Sequence, residues 1–354
     1  MEYWIWLSQL PGIGPILQKK LLAFFGGPLK IYLATIPDLL EVDGIGEQTA
    51  KKIAEFRINH VAEIIKRVER LGINVLTYEN RKYSEVFSCK RSPILFYFIG
   101  KLSEKRGIAI VGARRCTQDA KRVTEDIASL LAENGFGVNS GLAIGIDSYA
   151  HTTCLKAGGY TMAVLANGVD ICYPKENKRL YEQIIADGGA VLSSYPPGVK
   201  PHPKYFVERN AHISAWSTDV IVVQASEKSG SLTTARFALE QNRNLYAVPH
   251  SINLPEAKGS NQLLANGARI YTRPESLAHL GIKNNTSVHA GAFIYSLTQF
   301  EKNIVTHIQK VGNCSFSELS HHLKVSELVL TPTLLQLEMN NILKIRGTTI
   351  SCAK

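Results

Sequence analysis

The chain has no CxxC pair, and Cys89, Cys116, Cys154, Cys172, Cys314 and Cys352 are scattered over its whole length. That spacing argues against a disulfide framework or a cysteine-based zinc site and fits a reducing cytoplasm. Long apolar runs are missing as well. The strongest, ILFYFIG at Ile94–Gly100, is far too short to span a bilayer, and MEYWIWLSQL at the start carries Glu2 where a signal peptide needs a basic segment. A cytoplasmic protein without membrane contact is expected. No GxxxxGK[ST] occurs, so the lysine cradle of nucleotide-triphosphate hydrolases is absent. No GxGxxG follows the first buried strand, where Arg114 and Arg115 replace the small residues of a dinucleotide fold, and NAD binding is not expected. GxSxG is absent too, which leaves no nucleophile elbow. The histidines offer no metal motif: His202, His212 and His250 lie beside proline or on element ends, and His321 and His322 point to different faces of a helix. Neither a metal nor another cofactor is implied.

What the chain does have is positive charge, unevenly placed. Over 354 residues, 40 Lys+Arg stand against 30 Asp+Glu, a net charge of +10. Residues 1–80 carry 9 basic and 9 acidic side chains, residues 81–282 carry 24 and 17, and residues 283–354 carry 7 and 4. A basic surface favours nucleic acid or an anionic membrane, with solubility as the plainer use. Apolar and charged contents of 45% and 20% are those of an ordinary globular protein, and the length implies two or three domains.

Residues 1–80 read as helices broken by glycine and proline. LPGIGPILQKKLLAFF at Leu10–Phe25 is echoed by VDGIGEQTAKKIAEF at Val42–Phe56, each a Gly-x-Gly turn followed by an amphipathic helix with two lysines. This resembles a helix-hairpin-helix (SAM-like) module, whose turn offers backbone amides to a DNA phosphate. The zero net charge of the segment favours the plainer reading, a helical bundle using GIG as a tight turn.

From about residue 105 buried-strand runs alternate with amphipathic helices: 107–112, 135–141, 160–167, 190–196, 219–225 and 244–250. Thr117 is placed to cap the helix after the first. Continuous apolar strands with helical crossovers predict a doubly wound, Rossmann-like parallel sheet over residues 81–282, with ligands at the carboxyl ends of the strands. Residues 283–297 read as a linker. Residues 298–354 read as three helices and a short strand in KIRGTTISC, with Ser317 capping the second helix and the third starting at Thr331-Pro332. That arrangement looks winged-helix-like. The third helix, the groove reader in such folds, has almost no positive charge and carries Glu338, which favours protein contact over duplex reading.

Three glycine-bearing strand-to-helix turns stand out: VGARRCT at Val111–Thr117, SGLAIGID at Ser140–Asp147 and SGSLTTA at Ser229–Ala235. Backbone N–H groups and the helix dipole at such turns hold anions. Several on one sheet edge, with Arg114 and Arg115 in the first, suit a polyanion. Lys175 in YPKEN and Arg209-Asn210 in YFVERNAHIS extend the basic rim, and Tyr173, Tyr205 or Phe206 offers a stacking face for bases, against core packing as the commoner fate. Asp147 and His151, four apart on a helix face, read as a structural hydrogen-bonded pair.

VGARRCT, SGLAIGIDSYAH, LANGVDICYPKEN, LSSYPPG, RNAHISAWS, SGSLTTARFALEQNR and AVPHSI, in this order, resemble the DNA-processing protein A (Smf) family of bacterial recombination mediators in natural transformation. The resemblance implies a non-enzymatic protein that binds single-stranded DNA, delivers the RecA recombinase and forms a homodimer. It implies DNA-binding roles for Gly112, Arg114, Ser140, Gly141, Lys175, Asn177, Arg209, Asn210, Gly230 and Ser231, to which the basic rim adds Arg115. Ile144 and Ala211 stand where the family has arginines, Ser194 and Gln224 where it has glutamates, and Val207 where it has proline. Leu263, Leu264 and Ile270 are candidates for the dimer face, with sheet packing as the alternative. Two competing functions remain: a nucleotide-metabolising enzyme of the phosphoribohydrolase-like Rossmann class, with Glu240 on its helix, and a duplex-DNA-binding regulator.

Overall fold

The computed structural model describes residues 1–89, 92–282, 298–339 and 342–352, so the expected linker at 283–297 lies outside the described residues. The chain divides into two compact units, Met1–Ile282 and Lys283–Lys354.

In the first unit every expected buried run forms a strand: β3 (Gly107–Val111), β4 (Val138–Ser140), β5 (Thr161–Leu165), β6 (Ala190–Ser193), β7 (Ser217–Val222) and β8 (Asn244–Ala247). Ahead of them lie β1 (Asn74–Thr77) and β2 (Leu95–Gly100), and β9 (Arg269–Ile270) closes the sheet. The order is β1-β2-β6-β5-β4-β3-β7-β8-β9. Strands from β6 to β9 are parallel, while β2 joins β6 and β1 joins β2 antiparallel. The chain winds outward from β3 in one direction and then, from β7, in the other. The gap between β3 and β7 is therefore the switch point where doubly wound folds bind ligands.

Both faces are covered, which is why the strands read as unbroken apolar runs. The helices are α1 (Glu2–Ser8), α2 (Pro15–Phe25), α3 (Pro28–Leu33), α4 (Ile36–Leu40), α5 (Glu47–Glu55), α6 (Ala62–Arg70), α7 (Ser84–Ser88), α8 (Gln118–Glu133), α9 (Ile146–Lys156), α10 (Lys178–Ala186), α11 (Pro203–Ala215), α12 (Ser231–Glu240) and α13 (Lys258–Ala265). Period-two alternation sends Ile108 and Ile110 toward Ile127, Leu131 and Ile146 on one face. Ala109 and Val111 go to Ile213 and Ala235 on the other. The amino-terminal helices share that first face: Trp6, Leu21 and Ile53 pack with Leu95, Tyr97 and Leu165. Each fully buried Leu or Ile there contributes about 1.5–3 kcal/mol. The two GIG turns adopt one geometry, with Gly12 and Gly44 at positive φ and Gly14 and Gly46 as extended N-caps.

The second unit holds α14 (Gln299–Val311), α15 (Phe316–Leu323) and α16 (Glu327–Met339) against a sheet of order β10-β12-β11, formed by β10 (Asn313–Ser315), β11 (Leu343–Arg346) and β12 (Thr349–Cys352). Three sequence expectations are corrected here. The cap of α15 is Ser315, in a reciprocal capping box with Glu318, because only that spacing returns a carboxylate to the cap N–H. Helix α16 starts at Glu327 and carries Pro332 inside it, so proline does not mark its start. KIRGTTISC is a hairpin, not one strand, because Gly347-Thr348 turns the chain back on itself.

Candidate nucleic-acid interface

The carboxyl ends of β3, β4 and β7 open on a groove of about 380 Å3. Among the residues singled out from sequence it gathers Gly112, Arg114, Arg115, Arg209, Asn210, Gly230 and Ser231. Lys175 and Asn177 lie on the next turn, after β5, and Ser140 and Gly141 are buried at the end of β4, outside the groove lining. Adjacent strands are about 4.8 Å apart, so the crest from β5 to β7 spans about 14 Å, longer than a single phosphate.

Arg209 is only 5% exposed and works as a tie. Its Nη1 donates to the carbonyls of Gly141 and Val164, both at 2.6 Å, joining the turn after β4 to β5. Gly141 is needed for this approach, because a Cβ there would stand 2.5 Å from Nη1. Burial brings the guanidinium down to about 10, with Asp147 pulling it back up and Arg114 pushing it further down, so it is a cation at neutral pH. Asn210 donates from Nδ2 to Gly230 O (3.1 Å), holding the turn that starts α12.

Asp147 and His151 do not bond to each other, contrary to the sequence reading. The Asp147 carboxylate turns back and accepts the N–H groups of Gly141 (3.0 Å) and Ala143 (3.4 Å). Burial pushes its carboxyl above the usual range, against Arg209 and those two N–H groups. His151 Nδ1 meets Thr161 Oγ1 at 2.7 Å, and that hydroxyl already donates to Val138 O, so Nδ1 carries the proton.

The glycine turns are therefore mostly satisfied from within. Thr117 Oγ1 caps α8 as expected, accepting from Ala120 N (3.2 Å), and Gln224 clamps Thr117 through both amide atoms. Asp147 fills the second turn. In the third, Ser229 Oγ accepts from Ser231 N and contacts Ser231 Oγ at 2.8 Å. Ser140 is fully buried and donates its hydroxyl to Ile110 O (2.7 Å), and Asn177 braces Leu142 O (2.8 Å). Gly145, at φ +88°, lets the second turn lie against the first: a Cβ would meet Ala113 O at 2.4 Å.

What stays unpaired is cationic. Arg114, Arg115 and Lys175 are exposed, and among the described residues none pairs with a carboxylate. Lys228, which sequence reasoning passed over, stands exposed two residues before Gly230. Two guanidinium groups lie near Phe206, those of Arg114 and Arg209, each 5.8 Å from its ring centre, and Tyr173 at 5.7 Å extends the aromatic surface. Of the positions where the family has arginine, Ile144 is exposed on the crest, whereas Ala211 is 2% exposed inside α11. Glu240 lies six residues down α12 from Thr234, the last groove-lining residue of that helix, a rise of about 9 Å, and pairs there with Arg236. No group of His, Cys, Asp or Glu among the described residues has a metal-binding arrangement.

A doubly wound sheet with its groove at the β3/β7 switch point places the chain among Rossmann-like α/β proteins. Residues 74–280 match the sequence model of the DNA recombination-mediator protein A family, and the chain belongs to that family. Protein Smf of Synechocystis is 37% identical over 79% of this chain and 72% of its own. DNA processing protein DprA of Bacillus subtilis is 39% identical over 58% of this chain and 70% of its own. Among solved structures, DNA processing protein A of Streptococcus pneumoniae superposes with a TM-score of 0.68 at 28% identity, covering 79% of this chain and 97% of that one. The Helicobacter pylori protein, described by its single-stranded DNA binding mode, superposes with a TM-score of 0.53 at 30% identity, covering 59% of this chain and 94% of that one.

Proposed function

We propose that the protein binds single-stranded DNA along the carboxyl-end crest, with phosphates on Arg114, Arg115 and Lys175 and an unpaired base on Phe206. The observation that carries this reading is the pair of exposed arginines without carboxylate partners among the described residues, Arg114 and Arg115, lining the switch-point groove with Arg114 over the Phe206 ring. Phosphate attraction supplies affinity, and stacking selects strands whose bases are unpaired. The single-stranded DNA binding of the Helicobacter pylori relative supports the same reading. Arg114→Ala and Lys175→Ala are each expected to weaken binding by about tenfold and to reduce the slope of log affinity against log salt by about 0.7. Anisotropy titrations of a labelled oligonucleotide over a salt series measure both, and unchanged affinity and slope in both variants would sink the reading.

The protein acts as a cytoplasmic recombination mediator, not as an enzyme, presenting the coated strand to the RecA recombinase during DNA uptake. Residues 81–282 form its DNA-binding domain, flanked by the helical 1–80 and the winged-helix-like 298–354. It works as a homodimer. Ile270, 56% exposed on the two-residue edge strand β9, offers an apolar edge beside the half-buried Leu263 and Leu264 of α13. Ile270→Glu is expected to leave only monomer in sedimentation at micromolar concentration and to slow RecA loading onto protected strands. A wild-type chain that sediments as a monomer contradicts the dimer.

A further inference from the structure

The same crest holds a second concavity, of about 500 Å3, where β8 ends. It lies between the first turn of α8 and the segment after β8, with apolar walls from Val123, Val248, Pro249 and Leu254 and polar residues Thr117, Asp119, His250, Ser251 and Asn253. Thr117, His250 and Ser251 are bonded within the fold, whereas the Asp119 and Asn253 side chains have no hydrogen-bond or ion-pair partner among the described residues; Asn253 bonds only through its backbone N–H. The partition between groove and crevice is the Thr117–Gln224 clamp. Arg115 lines the groove and Thr117 the crevice, so at most about 7 Å of chain separates them. One nucleotide step covers that distance.

The lining selects the chemistry of its occupant. Apolar side chains suit the faces of a flat ring. The Asp119 carboxylate repels phosphate and accepts hydrogen bonds only, so it favours an edge rich in N–H donors. Guanine presents N1–H and N2–H side by side, matching the two oxygens of one carboxylate, and its O6 suits the Asn253 amide donor. Thymine presents a single N–H between two carbonyls, which the carboxylate opposes. We propose that this crevice is a base subsite of the single-strand groove and takes an unpaired guanine from the strand held on Arg114 and Arg115. The inference rests on the single-strand reading above.

The test uses the full chain and three labelled oligonucleotides: all dT, dT with one central dG, and dT with hypoxanthine at that position. The dG strand is expected to bind at least about fivefold more tightly than all dT. Hypoxanthine, lacking the N2 amino group, is expected to lose most of that gain. Asp119→Asn is expected to cancel the dG-over-dT ratio, and Asn253→Ala, in a loop outside any helix, to reduce it. Equal affinity for dG and dT strands in the wild type, or a ratio that survives both substitutions, overturns the subsite. Tight Asp119-dependent binding of free dGMP without any strand preference also overturns it, in favour of a free-nucleotide site. Arg114→Ala should lower both affinities and leave their ratio intact. A wild type that binds none of the strands defeats the groove itself.

Discussion

Arg209→Ala is expected to lower the stability of the α/β unit by about 3–5 kcal/mol, the cost of removing one partner from a buried charged network. The guanidinium lines the base of the groove and donates to the buried Gly141 and Val164 carbonyls. Without it both carbonyls lose a donor, at about 1–3 kcal/mol for each group left unsatisfied, and Asp147 loses the cation that offsets its burial. Arg209→Lys should recover only part of the loss, because one ammonium can replace the Nη1 donor to the two carbonyls but not the Nε donor that Asn210 Oδ1 accepts at 3.2 Å. Denaturant unfolding followed by circular dichroism measures the effect, and a loss under about 1 kcal/mol would contradict the tie. Arg114→Ala provides the contrast. That side chain is exposed, so its removal should leave stability within about 0.5 kcal/mol while weakening DNA binding. Two arginines near one aromatic ring are thus expected to differ, loss of Arg209 showing in stability and loss of Arg114 in DNA binding.

Stability is also expected to fall by about 4 kcal/mol between pH 7.5 and pH 5, from two buried histidines. Burial and the nearby Arg209 hold His151 and His212 down to about 3, against an ordinary value of 6.5. Both are therefore neutral in the folded chain, while the unfolded chain takes up protons below pH 6.5. The stabilisation is complete above pH 6.5 and is lost progressively as pH falls toward 3, by about 2 kcal/mol per histidine at pH 5. Geometry gives the reason: His151 Nε2 and His212 Nδ1 are buried without partners, so a second proton on either ring would find no acceptor. The raised Asp147 carboxyl works in the opposite direction and offsets part of the loss. Thermal melts across this range measure the slope. A His151→Gln, His212→Gln double variant should flatten it, and an equally steep loss in that variant would assign the effect elsewhere.

Much of the fold was legible because its signals are local. The apolar runs behind β3 to β8, the Thr117 cap and the GIG repeat each declare themselves within a few residues. The antiparallel β1–β2 extension was not legible: Asn74–Thr77 is too short to show a period, and its pairing with 95–98 is what makes it a strand. Phe206 and Tyr173 were visible as aromatics, but only the fold stacks Arg114 and Arg209 on one ring. Lys228 carried no signal beyond its charge.

The glycine turns mark the division most clearly. By itself the sequence determined the doubly wound sheet, the crest on which these turns gather, the cations beside them and the family, because apolar periodicity, turn chemistry and charge are written in consecutive residues. Only the tertiary structure decided which polar groups remain free to meet a ligand. Ser140 is consumed by a carbonyl 30 residues away, Gly141 by an arginine 68 residues away, and Thr117 by a glutamine 107 residues away. A hydrogen bond formed across such distances removes a donor or acceptor without leaving a mark in the local sequence. Among the described residues, what the fold leaves exposed and without carboxylate partners is the side-chain cations above the turns, Arg114, Arg115 and Lys175.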